Sequence, residues 1–501
     1  MKKLISIMLC AVMCLSLISC ASEKQTGTNP ADAQQSETVP QGKDKDKDNK
    51  DNDQEKDTDK DKEETASQDF ITKDDIEVTQ TLSSDTDGEH VITADGTSAS
   101  YSNTAVEKTG DSSGDEADFY GENAAVFATN GGTLDLTEMV ITTDGTHANA
   151  VFSYGEGTTV TISDSVIETS GNCSGGLMTT GDGTMTADDL NIHTTGNSSA
   201  AIRSDRGGGT VTVTGGSYVT DGKGSPVIYS TADITVNDAY MESTASQGVV
   251  VEGKNSVTLN DVELIADNNT KNSDKSSWYQ AVMIYQSMSG DAAEGLATFT
   301  MNGGSLTNKN GDIFFVNNTV TEITLSQAEI VNEDADGVFL RAAAAGWGSE
   351  GSNGGQVTLT ALDQEINGNM LVDSVSHLNL YLKDGSVFTG AVNPDGEEGK
   401  VYVEIESGSK WILTEDSYIT GLTCEAGAVD LNGHTLYING IAYDGGSSAG
   451  EPIEATVSTG GGHGGTPPSG GPGGTPPSGG PGGTPPSGTP GGTRPSGGDG
   501  A

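Results

Sequence analysis

Positive charge is scarce in this sequence of 501 residues. Lysine and arginine total 24 against 73 aspartates and glutamates, which gives a formal net charge of -49, and only 14 of the cations lie after residue 65. A surface of this sign repels nucleic acid phosphates and anionic lipid headgroups. We therefore expect no nucleic acid partner for this protein.

Cysteine is also rare and unevenly placed. Three of the five cysteines lie within the first 20 residues, and the other two, Cys173 and Cys424, are far apart in the sequence. That separation argues against a disulfide framework, so we expect Cys173 and Cys424 to be isolated thiols. The six histidines are scattered and lack metal-ligand spacing, so each is interpreted as a surface residue.

The chain opens with two lysines and a short apolar run from Leu4 to Ile18. A membrane-spanning helix needs roughly 20 apolar residues, so this shorter run predicts an export signal. It ends in Leu-Ile-Ser-Cys, which resembles a bacterial lipobox with Cys20 as the lipidated residue. We interpret residues 1–20 as a lipoprotein signal peptide that places the protein on the extracellular face of the cell membrane. The alternative is an ordinary signal, cut near the same place without a lipid.

Two segments have compositions that cannot form a packed core. Residues 21–68 contain almost no large apolar side chains and include the run "KDKDKDNKDNDQEKDTDKDKEE", which predicts a disordered, charged tether. Residues 446–501 repeat "GGTPPSGGPGG", which predicts a flexible Gly/Pro/Ser-rich tail. The folded part of the chain is therefore expected between these two segments.

A short alternation of apolar and polar residues recurs between the tails. Its copies begin at Leu134, Val160, Met185, Val211, Ile234, Val257, Phe299, Ile323 and Val357. Most spacings are 23 to 26 residues, and two stretch to 42 and 34. A further apolar strand precedes each copy, so a unit has three short strands separated by Gly, Asn and Asp corners. A recurring period of this length indicates a solenoid.

Residues 69–375 are therefore predicted to form an all-β fold, a right-handed single-stranded parallel β-helix of roughly a dozen coils of about 25 residues. The handedness follows from the general rule for parallel crossovers. A propeller is the main rival, but blades of four strands over about 40 residues fit the spacing poorly. The inward residues of the first strands are predicted to stack in one ladder. That ladder comprises Val126, Val151, Leu177, Ile202, Ile228, Val251, Ile284, Phe315 and Leu340.

The period changes after residue 376, so residues 376–445 are predicted to be a cap that hides the last open edge. The Gly-Ser-x-Trp-x-Leu-Thr pattern at 408–414 resembles the terminal coils of autotransporter and adhesin β-helices. Segments such as "GDSSGDEADFYGENAAVFA" and "SDRGGGTVTVTGG" are similar to adhesin-like β-helix surface lipoproteins of gut anaerobes. That resemblance implies a fold and a surface location but no established activity. We expect a monomer.

Outward residues of the first strands form the candidate functional surface. The predicted outward column is Phe127, Phe152, Met178, Arg203, Tyr229, Glu252, Tyr285, Val316 and Arg341. Long connections at 268–278, 287–295 and 342–356 adjoin it, and such loops on a regular scaffold often carry function. The ligand-binding candidates from the column, its corner and these loops are Arg203, Asp205, Arg206, Tyr229, Glu252, Lys254, Tyr285, Asp291, Arg341, Trp278 and Trp347.

Aromatic faces beside carboxylates and amides suit a sugar, because its ring face can stack while its hydroxyls are hydrogen-bonded. The sequence therefore predicts an adhesin or polysaccharide-binding scaffold whose partners are glycans or other surface polymers. In a second interpretation, these residues form structural salt bridges, such as Arg203 to Asp205, and the protein is a passive envelope spacer.

An enzymatic alternative is a calcium-dependent lyase that acts on acidic polysaccharides. Its base would be Arg203 or Lys254, and its metal ligands would be Asp205 and Glu252. The acidic segments 111–118 and 332–337 also offer oxygen ligands that suit calcium. Calcium is the one cofactor considered, and no catalytic residue is assigned.

Overall fold

The computed structural model describes residues 70–456 except for 272, 274, 276 and 398. The predicted signal peptide with Cys20, the tether and the tail from residue 457 onward lie outside this part of the chain. The two helices described are a 3-10 turn at Lys73–Asp75 and an α-helix at Asp115–Tyr120. Neither of them, nor any other helix within these residues, is long and apolar enough to cross a membrane. The remaining elements are β-strands, which confirms the predicted all-β class.

The first strands of the repeats form one parallel sheet of eleven strands. These strands are Ile92–Asp95, Val126–Thr129, Val151–Tyr154, Leu177–Thr180, Ile202–Ser204, Ile228–Ser230, Val249–Glu252, Gln280–Tyr285, Asp312–Asn317, Leu340–Ala342 and Met370–Val372. Each strand pairs only with its counterparts in the preceding and following turns of the chain. The eleven-stranded sheet therefore runs the length of a stack of turns.

The second and third strands of the repeats belong to a parallel sheet of 21 strands. These are Gln80–Ser84, Ser98–Lys108, Thr133–Thr143, Thr159–Ser163, Val166–Thr169, Gly183–Asp188, Asn191–Thr194, Gly209–Thr214, Ser217–Thr220, Asp233–Asn237, Tyr240–Ser243, Ser256–Asn260, Glu263–Ala266, Leu296–Asn302, Ser305–Asn308, Thr319–Ser326, Glu329–Asn332, Gly355–Leu362, His377–Lys383, Lys400–Ile405 and Gly421–Thr423. Two small sheets complete the last turns. They comprise Glu365–Asn367, Val387–Thr389, Lys410–Ile412 and Val429–Asp430, and then Ser417–Ile419, Leu436–Ile438 and Ile441–Ala442.

The predicted repeat alignment is confirmed in the larger sheet for every copy except the last. Leu134 pairs with Val160, Val160 with Met185 and Met185 with Val211, and the same register continues to Ile323. All of these residues are buried in one core cluster. The predicted start of the last copy was wrong by two residues, because Ile323 pairs with Leu359 and Val357 pairs with Thr321. Since equal positions stack in successive turns, the fold is solenoid-like, with its core enclosed between the sheets.

The predicted ladder of first-strand residues was wrong in the middle of the eleven-stranded sheet. Between Ile228 and Leu340, the ladder in the structure consists of Val249, Val282 and Phe314. The prediction had placed Val251, Ile284 and Phe315 at these three positions. The outward column is shifted in the same way. Its central members are Val250, Met283 and Phe315, and the predicted Glu252, Tyr285 and Val316 lie further along their strands. The sequences "VVVE" and "IFFV" are apolar on both faces, so alternation did not fix their phase.

Corners between the second and third strands adopt left-handed backbone geometry. Asp164, Asp189 and Asp238 have φ of 48°, 48° and 51° at equivalent corners, and Gly215 has 68°. Asp tolerates this region better than most residues, because its short side chain can hydrogen-bond locally. At Gly215 a Cβ atom would lie 2.1 Å from Asp189 Oδ1, so a larger residue there would require the Asp189 side chain to move. These corners let each turn end within a few residues.

Chain from both ends of the described residues packs along the turns of the stack. At the start, Asn191 Nδ2 donates to the Ile71 carbonyl oxygen at 2.9 Å, so the first described residues cross several turns. At the other end, Leu436–Ile438 pairs with Ile441–Ala442 in antiparallel fashion. The predicted tail begins with an ordered segment, because Ile453 N donates to Asn379 Oδ1 at 2.9 Å.

The two cysteines beyond the signal region differ. Cys424 is a buried free thiol, as predicted. Cys173 is disulfide-bonded, so the prediction of an isolated thiol was wrong there. The spacing argument concerned only a bond between these two residues.

Truncation of one core side chain tests the ladder packing. Leu259 is fully buried and lies in register with Val236 and Met301. We expect Leu259→Ala to lower the free energy of unfolding by about 2–5 kcal/mol, because a cavity replaces its side chain. Thr258 points outward on the same strand, so Thr258→Ala should change it by less than about 0.5 kcal/mol. Chemical denaturation measures both, and equal effects would contradict the register.

Candidate functional site

A cavity of about 220 Å³ opens on the outer face of the eleven-stranded sheet. It lies over the middle strands, where the long connections meet. Eight of the predicted ligand-binding residues line this one cavity. They are Arg203, Asp205, Tyr229, Glu252, Trp278, Tyr285, Asp291 and Trp347. Residues more than 140 positions apart in the sequence are therefore neighbours here.

Aromatic and apolar side chains form the wall of the cavity. Tyr285 and Trp347 meet edge to face with ring centroids 5.1 Å apart, and Trp278 packs on Phe315 at 5.4 Å. Val250, Met283 and Phe315 complete a cluster that is separate from the solenoid core. The sheet is thus buried on its outer face as well as its inner face at this level.

The loop that carries Trp347 is held by hydrogen bonds to its backbone. Asn353 Nδ2 donates to the carbonyl oxygens of Ala345 and Trp347 at 2.7 and 2.8 Å. Gly346 N donates to the Lys275 carbonyl oxygen at 2.9 Å, which joins this loop to the 268–278 connection. The tryptophan is therefore positioned by fixed contacts within the described residues.

A buried ion pair lies at one end of the cavity. Arg203 Nη2 donates to Asp205 Oδ2 at 2.8 Å, and the side chains are 15% and 5% exposed. Burial raises the pKa of Asp205 to about 6, and Asp291 and Glu252 add to that effect while Arg203 opposes it. Burial opposes the charge of Arg203, but the nearby carboxylates of Asp205 and Asp118 leave its pKa raised.

Two tyrosines share one oxygen of Glu252 beside this pair. Tyr285 Oη donates to Glu252 Oε2 at 2.9 Å, and Tyr229 Oη donates to the same atom. Glu252 is 1% exposed, and its other oxygen, Oε1, has no hydrogen-bond partner. The Ser287 hydroxyl also favours the charged form of the Glu252 carboxylate. It is hydrogen-bonded to Ser289 Oγ at 2.6 Å. Burial raises the pKa of Glu252 despite these hydroxyl groups.

Arg206 joins three segments at the edge of the cavity. Its Nε donates to Asp291 Oδ1 at 2.7 Å, its Nη1 donates to Asp115 Oδ2 at 3.0 Å, and its guanidinium lies 3.7 Å from the centroid of the Phe119 ring. These contacts tie the short helix to the 287–295 connection. The role of Arg206 in this geometry is to position Asp291.

Like Arg206, the last two candidates, Arg341 and Lys254, do not line the cavity. Arg341 lies behind the wall, where its Nε donates to Asp312 Oδ2 at 2.6 Å and its guanidinium is 4.7 Å from the Trp278 ring centroid. Lys254 is exposed, and its aliphatic stem packs beside Gly295. Arg341 keeps its predicted place in the outward column, in register with Phe315.

Sequence reasoning missed several residues that line the cavity. Three of the missed lining residues are the polar Gln280 and Asp118 and the apolar Met283. Met283 would have followed from the correct register. Asp118 stood in an acidic segment interpreted as a calcium site. Gln280 begins a strand, and no sequence signal marks its side chain as part of a site.

The acidic segments considered for calcium are engaged in other contacts. Asp118 Oδ1 lies 2.9 Å from His147 Nδ1, and Asp334 accepts backbone N–H groups from Gly311 and Asp336. Within residues 70–456, one set of three possible ligands was found, Asp118, His147 and Cys173, and Cys173 is disulfide-bonded. The cavity residues Asp205 and Glu252 belong to no such set among the described residues.

Comparison with known proteins adds no functional assignment. No protein-family model, curated protein or solved structure matches this chain. The chemistry of the cavity must therefore be derived from its own residues.

The raised pKa of Asp205 predicts a pH-dependent stability. Between about pH 4 and about pH 6 the folded protein keeps a proton that the unfolded chain has released, so stability falls as the pH rises through this window. From the shift to about 6 from 3.8, we expect Asp205→Asn to remove up to about 3 kcal/mol of this pH dependence. Chemical denaturation of both proteins at each pH measures it. If the difference in unfolding free energy between wild type and Asp205→Asn did not change with pH, the assignment would be contradicted. It would also be contradicted if wild type gained stability relative to the variant as the pH rises from about 4 to about 6.

Proposed function

We propose that this protein is a surface adhesin or polysaccharide-binding scaffold whose ligand site is the cavity on the eleven-stranded sheet. The observation that carries the proposal is that stacking rings and buried charged groups meet in one cavity. Tyr285 and Trp347 line this cavity together with Arg203, Asp205 and Glu252. A sugar matches such a site because it has an apolar ring face and a polar rim.

The fold supports a surface role. We interpret the stack as a right-handed parallel β-helix of roughly a dozen coils, with the hand taken from the general crossover rule. A long solenoid carries its binding face away from its attachment point. The lipobox-like segment that ends at Cys20 would supply a lipid anchor on the extracellular face of the membrane. This combination agrees with the resemblance to adhesin-like β-helix lipoproteins.

The geometry favours binding over lyase chemistry. Elimination needs a base that can take up a proton near the working pH. Arg203 is committed to Asp205, and its pKa is raised rather than lowered. Lys254, the other candidate base, is exposed and lies outside the cavity lining. Glycan binding therefore requires fewer rearrangements than catalysis.

A glycan array tests the proposal. The full chain should bind a subset of glycans, and Trp347→Ala should weaken that binding at least about tenfold, since stacking contacts and the loop wall are lost. The array is run with and without millimolar calcium, and an absorbance assay follows unsaturated uronate products. Formation of unsaturated uronate products would instead support the lyase. If the chain neither bound a glycan nor formed product, the passive spacer would be supported.

Tyr437→Ala is the matched control for this variant. Tyr437 stacks on Tyr418 with ring centroids 4.8 Å apart in the last turns, away from the cavity. Its truncation removes an aromatic side chain without touching the site. Equal loss of binding in both variants would show that the cavity is not the ligand site.

A further inference from the structure

Two buried polar side chains in the cavity have unused hydrogen-bonding atoms. Glu252 is 1% exposed, and its Oε1 has no partner. Gln280 is fully buried, and both its Nε2 and its Oε1 have none. Buried polar atoms are hydrogen-bonded in the great majority of cases, and leaving one unpaired costs about 1–3 kcal/mol. Both side chains line the cavity, so a ligand bound there is placed to form hydrogen bonds with these atoms.

Glu252 differs from the other carboxylates of the cavity in its charge balance. Asp205 is paired with Arg203, Asp291 with Arg206, and Asp118 lies 2.9 Å from His147. Glu252 is surrounded by the neutral hydroxyl groups of Tyr229, Tyr285 and Ser287, and it belongs to none of the ion pairs among the described residues. A buried carboxylate is stabilised most by a cation that also donates a hydrogen bond.

The surroundings of Glu252 suit an ammonium group. The rings of Tyr229 and Tyr285 contact the carboxylate through their hydroxyls, and Trp347 packs against Tyr285. The tyrosine hydroxyl oxygens can also accept a hydrogen bond from an ammonium group. The formal net charge of -49 also draws positively charged ligands toward the protein.

We propose that the cavity binds an oligosaccharide that carries a free amino group, with the protonated amine of an amino sugar donating to Glu252 Oε1. This inference rests on the proposed glycan-binding function and names the ligand class. The Gln280 amide then receives the hydroxyl or acetamido group of a neighbouring sugar unit, since it offers both a donor and an acceptor.

The spacing of the two side chains explains why an oligosaccharide is needed. Gln280 and Tyr285 are the first and last residues of one strand, and Glu252 pairs with Tyr285. Five steps along a strand cover about 16 Å. The wall between them is formed by Met283 and Val250, on which sugar rings can pack.

A matched series of β-1,4-linked tetrasaccharides tests the inference by calorimetry on the full chain at low ionic strength. Their units are glucose, N-acetylglucosamine and glucosamine, so that only the group at C2 changes. We expect the glucosamine tetramer to bind at least about tenfold more tightly than the other two, as one charged hydrogen bond predicts. Tetralysine provides the same charge without the sugar and should bind at least about tenfold more weakly than the glucosamine tetramer.

Glu252→Gln keeps the shape of the side chain and removes its charge. It should abolish the preference for glucosamine and change the affinity of the other two sugars by less than about twofold. The matched control is Glu242→Gln, because Glu242 also accepts a hydrogen bond from a tyrosine, Tyr240, at 2.7 Å but lies outside the cavity. The control should keep the preference of the wild type. If Glu252→Gln does not fold, the affinities of the wild-type protein for the three tetrasaccharides and for tetralysine test the inference on their own.

The outcomes separate this inference from the proposed function. Equal affinity for the three sugars, or equal binding of tetralysine, would overturn the amino-sugar assignment while glycan binding on the array stands. Absence of binding to every tetrasaccharide would also overturn it. Loss of array binding in Trp347→Ala is an independent result that bears on the cavity itself.

Discussion

Parallel pairing in a constant register is the constraint on which this structure depends. Each strand hydrogen-bonds to its counterpart one turn away, so equal positions stack into columns on both faces of the sheets. Inside, the columns form the core. Outside, the same register brings Arg203, Tyr229, Glu252 and Tyr285 together, although no two of them are closer than 23 positions in the sequence.

The cavity lies where loops cover an apolar stretch of the outer face of the sheet. Val250, Met283 and Phe315 form this stretch, and Trp278 and Trp347 from the neighbouring loops pack against it. A shielded surface removes charged groups from solvent, so each must find a partner. Arg203 and Arg206 supply partners for Asp205 and Asp291, and Glu252 is left with neutral donors. The proposed affinity for a cationic sugar rests on that imbalance.

Much of the fold could be predicted from the sequence, because one alternation recurs in true register from Leu134 through Val160 and Met185 to Ile323. The site was reachable only in part. Arg203 and Asp205 are rare charged residues on a regular scaffold, so they are conspicuous. The phase of "VVVE" could not be read, because both faces of that strand are buried. The unpartnered amide of Gln280 depends on distances between distant loops, which no local pattern encodes.

A crystal structure with bound glucosamine tetrasaccharide would test the central claim most directly. We expect the sugar in the cavity, with rings against Met283 and Trp347 and an amine nitrogen within about 3.2 Å of Glu252 Oε1. A sugar bound to the 21-stranded sheet, or one in the cavity whose amine faces away from Glu252, would contradict it.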